Sequence, residues 1–308
     1  MPYRPAPLLA LLLCLSIAGF TSCLVRRRVI SRKGAGPKQV LLVADKAILL
    51  DRISRLYASI HDFSATVDMT PALGSAEKSR ITEYKDVRGY ILFRKPADIR
   101  IIGLYPVVRN KAFDMVSNGT DFSLYLPARN RFIVGREGSA TPSANKLENL
   151  RPQHFLDALL VRPPVDGEQA VLENLTDEDQ ASYILHFVEP GPGGQLLLSR
   201  SIWFERIHLT LARQLAYDPA GNILTDARYS EWQSWDGVPF PRHVEINRPR
   251  DEYAIVITIV KMDINKGVSE DKFVLAQPPG STLQVLGEKP AAAPPPAAPA
   301  APGRKKRK

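Results

Sequence analysis

The chain has 308 residues, 44% hydrophobic and 24% charged, which is ordinary for a globular protein and suits one large domain or two small ones. Its formal net charge of +9 sits at the ends: Arg4, Arg26, Arg27, Arg28, Arg32 and Lys33 on one side and Arg304, Lys305, Lys306, Arg307 and Lys308 on the other leave −2 for everything between. A near-neutral body argues against a nucleic-acid-reading face. Both cysteines, Cys14 and Cys23, fall in the first 23 residues, which excludes a disulfide framework or a Cys-based zinc site in the body.

In chain order, the first feature is an apolar run of thirteen residues, Leu8 to Phe20. That is short for a membrane span and suits a signal-peptide core. Thr21, Ser22 and Cys23 follow, and the segment resembles a bacterial lipobox, with Phe20 where Leu is usual. The resemblance implies cleavage before Cys23 and acylation of that cysteine. Five positive charges follow the run and one precedes it, the reverse of the positive-inside pattern. Leu24, where an Asp usually marks inner-membrane retention, favours the outer membrane. Residues 1–22 are thus expected to be a signal peptide and residues 23–37 a lipidated basic tether, ending in Gly34, Gly36 and Pro37.

Leu42, Leu49, Ile53, Leu56 and Ile60 recur at helical spacing, which predicts a helix over Lys38 to Ile60. Period-two material follows, with Phe63, Ala65, Val67 and Met69 alternating with Ser64, Thr66 and Asp68. A turn-like stretch, Pro71 to Ser79, leads to a long strand over Ile81 to Phe93. Short strands are expected near Ile99–Leu104, Ala112–Ser117, Phe122–Leu126 and Arg131–Val134, punctuated by Asn118-Gly119 and Pro127 to Asn130. Thr141 to Val161 reads as helical with a break before Pro152, and His154, Phe155, Ala158 and Leu159 form its stripe. Strands resume at Ser182–Val188, Leu196–Arg206, Leu209–Tyr217, Asn222–Trp232, His243–Arg248 and Tyr253–Asp263. About eleven strands, with turn signals every ~8–12 residues, suggest a large antiparallel sheet or barrel. From Lys289 to Gly303 the chain is Pro/Ala-rich and cannot form a core; its 14 residues from Pro290 reach ~43 Å if extended. Residues 38–286 are the expected folded domain, and 287–308 a linker with a basic tail.

Motifs for chemistry are missing. The five histidines lack metal-ligand spacing, and there is no HExxH, GxSxG or GxGxxG. No catalytic residue, metal or cofactor is expected. His186 and His208 lie in strand-like segments and could face one cavity, which keeps open an enzyme acting on an envelope lipid or glycan.

Several segments in order carry a family resemblance. The helix ending Leu56-Tyr57-Ala58-Ser59-Ile60 runs into the strand at Phe63. Gly89-Tyr90-Ile91-Leu92-Phe93-Arg94-Lys95-Pro96 precedes Ile99-Arg100-Ile101, and Val116-Ser117-Asn118-Gly119 precedes Leu124-Tyr125-Leu126-Pro127. With Tyr229 to Trp232, Phe240-Pro241 and Ile246 to Pro249, this resembles the periplasmic lipoprotein carriers and outer-membrane lipoprotein receptors of the LolA/LolB family, over about residues 38 to 286. The resemblance implies an α+β, mainly antiparallel fold: a half-open β-barrel of about eleven strands with an N-terminal helix, a helical lid and an apolar cavity for acyl chains. Phe63, Val67, Ile91, Phe93, Ile99, Ile101, Phe113, Leu124 and Leu126 are the candidates to line that cavity, although the same residues would equally fill a closed core. The family's membrane-contact loop would fall on Leu104, Tyr105, Pro106, Val107 and Val108.

The expected protein is an outer-membrane lipoprotein facing the periplasm. Its expected partners are acyl chains of lipoproteins or lipids, the membrane through its anchor, and an anionic envelope polymer at the basic tail. A non-transporting sensor on the same fold is the other alternative.

Overall fold

The structure is a computed structural model, and it describes residues 40–75, 80–84, 86–106, 109–138, 146–177 and 180–286. The leader, Cys23, the basic tether and the Pro/Ala tail lie outside the described residues, as do Val107 and Val108 of the loop. Among the described residues no helix is long and apolar enough to cross a membrane.

Two α-helices are described, α1 (Lys46–Ser59) and α2 (Pro152–Leu159). The first seven strands are β1 (Asp62–Ser75), β2 (Arg80–Glu83), β3 (Val87–Arg94), β4 (Asp98–Leu104), β5 (Lys111–Ser117), β6 (Asp121–Leu126) and β7 (Arg131–Arg136). After α2 come β8 (Gln169–Thr176), β9 (Ala181–Pro190), β10 (Leu196–Glu205), β11 (Leu211–Tyr217), β12 (Ile223–Trp235), β13 (Val238–Arg248), β14 (Tyr253–Ile264) and β15 (Thr282–Leu286).

These make one fifteen-stranded sheet in the order β15-β7-β6-β5-β4-β3-β1-β14-β13-β12-β11-β10-β9-β8, with β2 off the path against β1. The path ends at β8 on one side and β15 on the other, so the sheet is open. Pairing is antiparallel except between β15 and β7. The two halves of the chain join where β1 pairs with both β3 and β14.

Alternation along the strands sets the inner face. Phe63, Ala65, Val67 and Met69 of β1 are buried, as are Ile91 and Phe93 of β3 and Ile99 and Ile101 of β4. Strand register then aligns one apolar row, Ile133–Leu124–Met115–Ile101–Ile91–Ala65–Met262, across β7, β6, β5, β4, β3, β1 and β14. A bulge in the β1–β14 pair, where Thr66 opposes Lys261 and Val67 opposes Ile259, leaves Val260 as the extra residue. The bulge restores the buried set, so that Ile259, Met262 and Ile264 all stay inside.

Both helices rest on this face, their Leu49, Ile53, Phe155, Leu156, Ala158 and Leu159 belonging to the same core as the strands. Helix α1 begins later than Lys38 because Asp45 caps it, its carboxylate accepting from the Ile48 N–H at 2.8 Å. Upstream, the Leu42 N–H donates to the Arg206 carbonyl, which holds that segment extended. The long strand expected over Ile81 to Phe93 is two strands, β2 and β3. Of the helical stretch expected over Thr141 to Val161, residues 141–145 lie outside the described residues; the rest holds a 3-10 turn, Lys146–Asn149, and α2, whose first residue is Pro152. Strands β8 and β15 were outside the sequence expectation.

Candidate functional site

The interior is built where α1 and α2 roof the apolar row. Helix α1 meets β8 and β13, while α2 meets β4, β5, β12 and β13. Phe63, Val67, Ile91, Phe93, Ile99, Ile101, Leu124 and Leu126 are all buried on this inner face. Phe113 is partly buried against the same core, its ring lying over Gly103, where a Cβ would sit only 2.3 Å from a ring carbon. Phe63 is flanked by Phe93 at 5.3 Å and Phe240 at 5.9 Å between ring centroids. The structure therefore gathers all nine residues on one core. Leu104 is half-buried, and Tyr105 and Pro106 are exposed at the end of β4.

The roof is closed. Between α1, the end of α2 and β12–β13 lies a void of only about 10 Å³, walled chiefly by Leu56, Ile60, Leu160, Tyr229, Trp232 and Phe240. That is about the volume of one water-sized sphere. In this conformation the helices fill the apolar trough, and an acyl chain would have to displace them.

Polar groups fasten the roof. Tyr229 donates its hydroxyl to the Ala158 carbonyl at 2.7 Å, and burial raises its pKa far above the ordinary phenol value. His154 of α2 lies between the Arg248 guanidinium, 3.1 Å from Nε2, and the Tyr253 hydroxyl, 3.0 Å from Nδ1. Arginine only donates, so Nε2 accepts and Nδ1 carries the proton. Burial first, then the charges of Arg248 and Arg151, hold His154 well below the ordinary histidine range. Arg248 is held by Asp251 at 2.7 Å and by the Thr225 hydroxyl at 2.7 Å. Arg151 stacks on Phe122 at 4.4 Å and donates to the carbonyls of Glu148 and Leu150. Nearby, burial raises the carboxyl of Glu137.

The sequence reading placed His154 on the apolar stripe of its helix. It is instead the centre of an ionic network whose members lie about a hundred positions apart, so no local pattern signals it. His186 and His208 are not brought to one cavity. His186 bonds Ser201 at 2.9 Å and Glu173 at 2.8 Å, while His208 sits 70% exposed on the turn after β10 beside Glu205. Among the described residues, no group of three or more His, Cys, Asp or Glu side chains is placed to hold a metal ion.

No family model matches the chain, and no curated protein matches it. Solved structures do. A DUF1329 family protein from Desulfovibrio piger aligns with a TM-score of 0.50 at 18% identity, covering 74% of this chain and 95% of that one, and shares the fold. A LolA superfamily protein from Nitrosomonas europaea aligns with a TM-score of 0.47 at 13% identity, over 73% of this chain and 97% of that one. A provisionally named outer membrane lipoprotein-sorting protein domain from Vibrio parahaemolyticus gives 0.47 at 13% identity, over 74% and 94%.

Proposed function

We propose that this protein binds acyl chains between its open sheet and its two roofing helices, as a lipid-anchored envelope protein in lipoprotein or lipid sorting to the outer membrane. The observation that supports this reading best is the unbroken apolar row across β7 to β14, covered by two short helices rather than by a second sheet. Each methylene moved out of water contributes ~0.8 kcal/mol, so a long chain can replace the burial that Phe155, Leu156 and Leu159 give up when α2 lifts. In this reading the nine inner residues from Phe63 to Leu126 contact the chain once α2 lifts. Tyr105 and Pro106 are the exposed part of the loop that touches a membrane. Cys23 carries the anchor, and the basic tail meets an anionic envelope polymer.

The test is binding of a fluorescent long-chain fatty acid to the purified protein, with mass spectrometry of lipids and lipoproteins that copurify. Saturable binding, displaced by unlabelled fatty acid, is expected. A well-folded protein that binds no acyl chain and copurifies with none would overturn the proposal.

A further inference from the structure

A groove of about 480 Å³ runs along the outside of α1, against the turn before β11 and against Trp232 and Pro239. This is within the size range of small-molecule sites. Three of its wall residues, Leu56, Leu211 and Trp232, also wall the inner void beneath the roof. A single layer of side chains thus separates the groove from the apolar interior.

The rim of the groove is charged. Arg52 and Arg55 of α1 line it together with Asp51, which leaves a net positive charge. Arg52 donates to the Leu209 carbonyl at 3.2 Å, and Leu209 holds a φ of 57°, an uncommon backbone conformation for a residue other than glycine. That contact spends one face of the guanidinium and orients the rest. Arg55 pairs with Asp51 and is 79% exposed. Arg52 and Arg55 thus bring two positive charges to the groove against the one of Asp51, and a further anion is complementary to that excess. Guanidinium groups bind carboxylate and phosphate oxygens through paired N–H donors.

Resting on the acyl-binding reading above, we infer that this groove is the mouth of the acyl site, and that it selects a lipid whose headgroup carries a net negative charge. The headgroup sits on Arg52 and Arg55, and the chain passes Leu56, Leu211 and Trp232 into the interior. A zwitterionic headgroup offers the same phosphate but brings a cation beside it, so it supplies the arginine pair with no net counter-charge.

The test measures binding of lysophosphatidylglycerol and lysophosphatidylcholine of equal chain length to the purified full chain, below their micelle concentrations. The anionic lipid is expected to bind about tenfold more tightly at low salt, because both lipids offer the same phosphate and only the choline cation opposes the arginines, with the ratio shrinking as salt rises. Arg52→Gln and Arg55→Gln should each bring the ratio towards one, while Arg88→Gln, on β3 and paired with Asp68, should leave it unchanged. Arg55 is exposed, so its variant carries the test even if Arg52→Gln folds poorly. Equal binding of both lipids by the unmodified protein would overturn the headgroup site and leave acyl binding standing, as would a ratio that survives in Arg55→Gln. Binding of neither lipid would overturn both.

Discussion

Tyr229 of β12 and Ala158 of α2 are joined by one hydrogen bond, hydroxyl to main-chain carbonyl at 2.7 Å, at the place where the roof meets the sheet. Both residues are buried, so the bond has no water to replace it. Tyr229→Phe keeps the ring and strands the carbonyl. A loss of about 1–3 kcal/mol in urea unfolding is expected, from an unsatisfied buried acceptor. Faster uptake of a fluorescent acyl probe should accompany it, because α2 lifts more easily. Unchanged uptake with lowered stability would show that α2 is not the moving part.

The His154 network makes the roof sensitive to acid. His154 has a depressed pKa in the folded state, so below pH ~6.5 the unfolded chain takes up a proton that the folded one refuses. Its contribution is complete above pH ~6.5 and falls as the pH drops towards the folded value. Glu137, with a raised pKa, acts oppositely: its contribution is complete below the ordinary carboxylate range and is lost as the pH rises through its folded value. A wild-type curve mixes these effects. The difference between wild type and His154→Gln isolates the histidine, and it should shrink as the pH falls from 7 to 5. A difference that stays constant with pH would show that His154 does not titrate in this way.

Phe240 walls the inner void and contacts Phe63. Phe240→Ala should cost about 3–5 kcal/mol through the cavity it leaves. An acyl ligand that fills that cavity should restore part of the loss, so the rise in Tm on adding fatty acid should be larger than in the unmodified protein. Equal rises in both proteins would place the ligand elsewhere.

Glu168 and Arg200 form a two-bond ion pair, 2.8 Å at each contact, beside the start of β8. Their side chains are only 1% and 5% exposed. Burial alone would raise the Glu168 carboxyl, but bonds from Arg200 and Ser199 overcome it and hold the group below its usual value. Arg200→Leu leaves a buried carboxylate without its main partner, and a loss of about 3–5 kcal/mol is expected in chemical unfolding. The loss should diminish below pH ~4.5, where the carboxylate is protonated in the unfolded chain.

Cys23 follows a thirteen-residue apolar run and two small residues. Cys23→Ala should move the protein from the membrane fraction to the soluble periplasmic fraction on cell fractionation. Retention as an integral component would mean that the leader is an uncleaved helix instead.

Local pattern alone determined the inner face of β1, β3, β4 and β6. In a strand, alternate side chains point to opposite faces, so Phe63, Val67, Ile91, Phe93, Ile99, Ile101, Leu124 and Leu126 announce their common side without knowledge of their neighbours. The same holds for Asn118-Gly119, where Asn118 accepts from the N–H groups of Thr120 and Asp121 and Gly119 takes a φ of +89°. Other features depended on distant partners. Strand β15 exists because β7 offers it an edge to pair with in parallel, and β8 because β9 offers one for antiparallel pairing; neither carries a strong apolar alternation of its own. His154 looked like one more apolar position of α2 until Arg248 and Tyr253, from the far end of the chain, were folded against it. Whether the inner face is a trough or a filled core is likewise a tertiary matter. Side-chain alternation says which way residues point, but only the packing of α1 and α2 decides how much space is left between them.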